Sequence, residues 1–212
     1  MTLERAIAAL LAGLARLIAG LTVRWRLPPD SAVARIYFAN HSSHLDGLLI
    51  WSVLPPAVRA KTRLVAARDY WEKNALRRYL AQRVFNTLLI ERQPATEAAG
   101  KASRETLTIL CAALQAGSSL ILFPEGSRGD GETLLPFRPG LYHLARHCPE
   151  VDLIPVYLEN LNRILPKGQI LPVPILGSLT FGEPLPKVAG ESKAAFLERA
   201  QAAVMRLRGR QS

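Results

Sequence analysis

A chain of 212 residues with 49% apolar and 21% charged side chains can bury a sizeable single-domain core, and that balance excludes wholesale disorder. Its 27 Lys and Arg against 17 Asp and Glu leave a formal charge of +10, which favours anionic partners: nucleic acid, acidic lipid headgroups or phosphorylated metabolites. Two cysteines, Cys111 and Cys148, do not make a disulfide framework, and a reducing compartment fits them best.

The chain opens on Ala6 to Val23, nearly all Ala, Leu, Ile and Gly, interrupted by Arg16. A crossing helix needs ~20 predominantly apolar residues, and an Arg in mid-span is costly unless it snorkels. The expectation is a helix that lies in a membrane interface or dips into one leaflet. Trp25, between Arg24 and Arg26, would suit the headgroup boundary. A secretory signal fits poorly with Glu4 and Arg16, whereas packing on the domain's own core remains the plain alternative. The reading divides the chain into a membrane-associating helix over 1–27 and a domain over 28–212.

Beyond Pro28-Pro29-Asp30 the pattern turns strand-like. Ile36-Tyr37-Phe38 reads as a strand ended by Asn40, and Asp46 to Leu54 as an apolar helix stopped by Pro55-Pro56. Arg63 to Ala66 is a strand candidate, Tyr70 to Gln82 a helix, and Thr87 to Ile90 another strand. Thr96 to Gln115 is a long helix closed by Ala116-Gly117, and Ser119 to Phe123 a compact strand. A helix running through His147 follows Pro139-Gly140. Leu153 to Leu158 and Leu179 to Phe181 are late strands, Leu165 to Pro174 a Pro-rich loop, and Ser192 to Arg208 a closing amphipathic helix. Alternating strands and helices predict an α/β fold: one layered domain with a mostly parallel or mixed central sheet flanked by helices, plus the N-terminal hydrophobic helix.

Two strings behind strands carry chemistry. In Asn40-His41-Ser42-Ser43-His44-Leu45-Asp46, a neutral imidazole is a competent base near its ordinary pKa of about 6.5. A carboxylate on its other ring nitrogen would fix the tautomer and stabilise the imidazolium. Residues five apart meet only if His41 lies in the turn before the helix, which Asn40 or Ser43 could open. The same letters also resemble a capping box, in which Asp46 merely satisfies backbone groups. A metal site on His41, His44 and Asp46 lacks a remaining shell in the sequence.

In Phe123-Pro124-Glu125-Gly126-Ser127-Arg128, Gly126 permits a tight turn and Arg128 suits a phosphate by two parallel charge-assisted bonds. An ordinary surface turn with Glu125 paired to Arg128 is the bland reading. No nucleic-acid motif accompanies the basic residues, and aromatics are sparse among them.

As whole strings the two are more specific. Residues 40–46 match Asn-His-x-Ser-x-x-Asp and residues 123–128 match Phe-Pro-Glu-Gly-Ser/Thr-Arg, which resemble the first and third motifs of the glycerophospholipid acyltransferases. Ile90-Glu91-Arg92 and Ile154-Pro155-Val156 resemble the second and fourth more weakly, with Glu in place of the usual Asp. Phe137-Arg138-Pro139-Gly140 resembles the downstream Phe-Lys-x-Gly segment.

The resemblance implies His41 as general base and Asp46 as its partner. It implies substrate contacts at Asn40, Ser43, Arg92, Glu125, Gly126, Ser127 and Arg128, with Pro155 shaping the pocket. It further implies an O-acyltransferase acting on a lysophospholipid acceptor, most directly the sn-2 hydroxyl of 1-acylglycerol-3-phosphate. The donor would be an acyl thioester on coenzyme A or acyl carrier protein, used as co-substrate with no cofactor or metal. The place of work would be an anionic membrane surface on its cytoplasmic face, with no nucleic acid involved. A different lyso-lipid acceptor such as lyso-ornithine lipid, a hydrolase using the same His, and a catalytically silent lipid-binding module are the alternatives.

Overall fold

Every residue of β2 (Arg35–Ala39) is buried, the mark of a central strand in a sheet covered on both faces. The computed structural model describes residues 3–30, 32–43, 45–91, 99–160 and 177–209. Among these, seven strands form one sheet: β1 (Thr22–Trp25), β2, β3 (Thr62–Ala67), β4 (Leu88–Ile90), β5 (Ser119–Leu122), β6 (Asp152–Glu159) and β7 (Ser178–Phe181). Their order is β1-β7-β6-β2-β5-β3-β4. The run β6-β2-β5-β3-β4 is parallel, and β7 turns antiparallel against β6 while β1 follows β7 in parallel. The sheet is therefore mixed, within the expected α/β class.

Strand alternation sends the side chains of β2 into two cores. Ile36 and Phe38 join Leu120, Leu122 and the inner faces of α6 (Ala99–Gln115), α7 (Gly140–His147) and α8 (Lys193–Met205). Tyr37 and Ala39 join Ile121 and the helices α1 (Leu3–Ala19) and α2 (Asp46–Val53). The connection from α2 to β3 includes α3 (Pro56–Lys61), where proline sits in the first turn, the one place in a helix that tolerates it.

Two sequence expectations need correction. The helix over Ala6 to Val23 ends at Ala19, because Gly20 takes a φ of +50° and β-branched Thr22 and Val23 continue as edge strand β1. Trp25 in that strand stacks on Phe181 with ring centroids 3.7 Å apart, so packing on β7 accounts for it. The single helix over Tyr70 to Gln82 is three pieces: α4 (Arg68–Trp71), α5 (Ala75–Tyr79) and a π-helical turn (Leu80–Val84). Asn74 makes the break, since its side chain accepts from Arg77 N at 2.8 Å and restarts the helix as an N-cap. Cys111 and Cys148 are free thiols, Cys148 fully buried. The Leu165–Pro174 loop, the start of the Thr96 helix, His44 and Arg92 lie outside the described residues.

α1 is apolar on two sides. Ala12 and neighbouring Ile7, Ala8, Leu11 and Ala15 pack inward, while Leu3, Leu10, Leu14 and Leu17 stand 47–80% exposed. At 100° per residue those four leucines fall within an arc of roughly 60°. No described helix is long and apolar enough to cross a membrane.

Candidate active site

The site forms where β2 and β5 end side by side. Asn40 leaves β2 with both halves of its amide committed: Nδ2 donates to Leu158 O at 2.9 Å and Oδ1 accepts from Leu158 N at 2.8 Å. It thereby replaces one step of sheet ladder and fixes where the chain departs. His41 follows in the turn before α2, as the five-residue spacing requires, so the helix opens at Leu45 and Asp46 and not at Asn40.

Asp46 serves both readings of its string with one oxygen. Its Oδ2 accepts from Ser42 N at 2.7 Å, Ser43 N at 2.8 Å and His41 Nδ1 at 2.9 Å. The first two bonds secure the turn, and the third orients the ring. Asp46 is wholly buried, and its Oδ1 has no hydrogen-bond partner among the described residues. Ser43, also buried, accepts from Leu45 N at 3.3 Å through Oγ and so belongs to the turn. The His41 ring lies flat against Phe123, centroids 4.1 Å apart and 16° from parallel. Its side chain keeps 21% exposure, and no described group bonds its Nε2.

The third-motif string closes on the first. Glu125 is 3% exposed and its two oxygens divide between backbone donors, His41 N to Oε1 at 2.6 Å and Leu135 N to Oε2 at 2.9 Å. Burial pushes its carboxyl pKa up, against the pull of those two N–H groups. Gly129 N returns a bond to His41 O at 2.8 Å, so His41 is held through both of its main-chain groups. Glu125 therefore does not pair with Arg128, which stands exposed beside exposed Ser127 and has no ion-pair partner among the described residues.

Pro155 sits mid-sheet opposite Phe38. A strand residue turns its N and O to the same side, and Pro155 O accepts from Gly182 N at 2.9 Å, just past the end of β7. The missing N–H thus falls where β7 has ended, and the β2 ladder is untouched.

The structure brings Asn40, His41, Ser43, Asp46, Glu125, Gly126, Ser127 and Arg128 to one sheet end, while Arg92 is outside the described residues. A cleft by His41 is lined also by Tyr157, Met205 and the 131–134 segment. Nothing in the local sequence marks Tyr157 or Met205, because strand β6 and the end of α8 reach the site only through the fold. Among the described residues no His, Cys, Asp and Glu group could hold a metal ion.

The arrangement can accept a proton at His41 Nε2 and present an arginine to an anion close by. A model of the family described as Acyltransferase matches residues 27–159. The 1-acyl-sn-glycerol-3-phosphate acyltransferase of Escherichia coli (strain K12) is 30% identical over 159 residues, 68% of this chain and 58% of that protein. The enzyme of the same name from Limnanthes douglasii is 28% identical over 172 residues, 78% of this chain and 56% of that protein. The chain thus spans less than two thirds of the length of these curated relatives. The crystal structure of the 1-acyl-sn-glycerophosphate (LPA) acyltransferase from Thermotoga maritima aligns with a TM-score of 0.66 over 96% of this chain and 79% of that one. At 20% identity that likeness is one of fold.

Proposed function

The chain belongs to the glycerophospholipid acyltransferase family, and from that premise we propose that it is an O-acyltransferase converting 1-acylglycerol-3-phosphate to phosphatidate. One observation carries the proposal. The Nδ1 of His41 is tied to a buried carboxylate at 2.9 Å while Nε2 is left to a partly exposed cleft. With Nδ1–H donating to Asp46, Nε2 carries the lone pair and takes the proton of the sn-2 hydroxyl. The hydroxyl oxygen attacks the thioester carbonyl, the C–S bond breaks as the tetrahedral intermediate collapses, and the imidazolium returns its proton to the departing thiolate. Asp46 opposes the charge that builds on the ring. Arg128, with Arg92, binds the acceptor phosphate and so brings the hydroxyl within reach of the donor carbonyl. The reaction so written uses no metal and no bound cofactor.

The donor is an acyl thioester on coenzyme A or acyl carrier protein. The setting is the cytoplasmic face of an anionic membrane, where the exposed leucine row of α1 lies in lipid. A helix of 17 residues is roughly 25 Å long, short of the ~30 Å hydrocarbon thickness, and an in-plane placement suits it better than a crossing.

The experiment offers purified protein each thioester donor against lysophosphatidate, monoacylglycerol and lyso-ornithine lipid, and also with no acceptor. The proposal expects transfer to lysophosphatidate in preference to the acceptors without a phosphomonoester. Equal use of a phosphate-free acceptor would remove the phosphate reading, and fatty-acid release without any acceptor would make the protein a hydrolase.

A further inference from the structure

The glycine of the third-motif string has a reason beyond its turn. Gly126 holds φ at +70°, and the space a side chain would enter is already occupied. A Cβ there would meet Nε of Arg138, standing 2.6 Å from its Cδ and 2.7 Å from its Cζ, distances that non-bonded carbons do not tolerate. Gly126 therefore admits the Arg138 guanidinium against the turn.

Arg138 is anchored twice to that same string. Its N donates to Pro124 O at 2.8 Å and its Nε to Glu125 O at 3.1 Å. These bonds hold the stem and leave the two terminal nitrogens, the fork by which arginine binds phosphate in parallel bonds. Arg138 is exposed, and among the described residues no carboxylate pairs with it. Glu125 lies beside it but has both oxygens committed to His41 N and Leu135 N. Arg128, on the same turn, is likewise exposed and unpaired among the described residues. Arg128 and Arg138 thus bring two positive charges to one turn with no paired carboxylate among the described residues, which favours an anion there.

We infer that Arg138 is a second ligand for the acceptor's phosphate, admitted by the missing side chain at Gly126 and acting with Arg128. The inference rests on the reading that the acceptor carries a phosphomonoester. The Phe137-Arg138-Pro139-Gly140 segment then serves to present this ligand. Phe137 is buried and faces Phe38 across the core, which fixes where the neighbouring Arg138 emerges.

The test titrates the full chain in detergent with sn-glycerol 3-phosphate, followed by phosphorus NMR, so that no turnover is needed. Arg138→Ala is expected to weaken binding about tenfold or more, the scale of a lost charge-assisted contact. Gly126→Ala should weaken it comparably in the wild-type background and add little to Arg138→Ala, because the group it displaces is already gone. Arg138→Gln retains a donor for Glu125 O without the charge, and should bind as poorly as Arg138→Ala while melting near wild type. Unchanged affinity in Arg138→Ala and Arg138→Gln, with wild type binding normally, would reduce Arg138 to a support of the turn. Full additivity of Gly126→Ala and Arg138→Ala would also overturn the pairing. Failure of wild type to bind the phosphomonoester at all would sink the parent reading and this one with it.

Discussion

Replacing Asp46 by Asn separates what this residue does for the fold from what it does for the reaction. Its Oδ2 receives three donors at 2.7, 2.8 and 2.9 Å. Asn is nearly the same shape, and with its carbonyl oxygen placed there all three contacts persist as neutral bonds. A bond to a charged group is worth about 1 kcal/mol more than a neutral one, so the two backbone bonds together lose about 2 kcal/mol. The new NH2 falls where Oδ1 already lacks a partner, so one unsatisfied buried group replaces another and little is added there. The chemical step loses more. An imidazolium formed without its carboxylate forfeits about 3–5 kcal/mol, or 10²–10⁴ in kcat. Asp46→Ala is the poorer probe, since it strips the acceptor from the buried Ser43 N–H and the part-buried Ser42 N–H, at a cost of about 2–6 kcal/mol that is a large share of a domain's stability. The assay pairs acyl-transfer kinetics with thermal unfolding by circular dichroism. A folded Asp46→Asn protein turning over within about tenfold of wild type would refute the role assigned to the carboxylate.

Glu125 makes a pH prediction. Its folded pKa is raised above the ordinary 4.5 by burial, so the folded state binds the proton more tightly than the unfolded one and its contribution is present at low pH. Stability conferred by this group falls as pH rises from about 4.5 through the raised value, and in Glu125→Gln that pH-dependent component disappears; denaturant titrations at several pH values should show wild type losing stability relative to Glu125→Gln as pH rises across this window. Gly182→Ala sets a Cβ 2.8 Å from Pro155 Cγ, a ring that cannot swing aside. The expected cost of about 1–3 kcal/mol appears as a melting temperature lowered by roughly 2–12 °C, and an unchanged melt would show that the contact relaxes freely. Leu10→Glu with Leu17→Glu should release the protein from vesicles of anionic phospholipid in a sedimentation assay without lowering its melting temperature, because both leucines face away from the core; continued sedimentation would mean that another surface binds.

The central sheet was readable from short apolar runs, and its strands lie within a residue or two of the expected bounds, as Ser119–Leu122 and Asp152–Glu159 illustrate. The His41–Asp46 pairing was also readable, because only a turn before the helix lets residues five apart meet. Three things were hidden. β1 was lost inside the N-terminal apolar run, since an edge strand of four residues has too little periodicity to stand out from a helix beside it. The break at Asn74 depends on one capping bond that outweighs a continuous helical pattern. The interlock of the two motifs, through Glu125 on His41 N and Gly129 on His41 O, joins residues more than 80 positions apart. Glu125 is the clearest instance, since its sequence position suggests a substrate contact, yet both of its oxygens hold backbone.

Phosphatidate formation from lysophosphatidate and a labelled acyl thioester, measured for wild type and His41→Ala side by side with both donor types, bears most directly on the assigned chemistry. The predicted result is transfer by wild type and a loss of about 10²–10⁴ in the variant, which should melt near wild type because the His41 ring contributes one hydrogen bond and one stacking contact. Transfer that survives in His41→Ala, or a well-folded wild type that transfers no acyl group to lysophosphatidate, would contradict it.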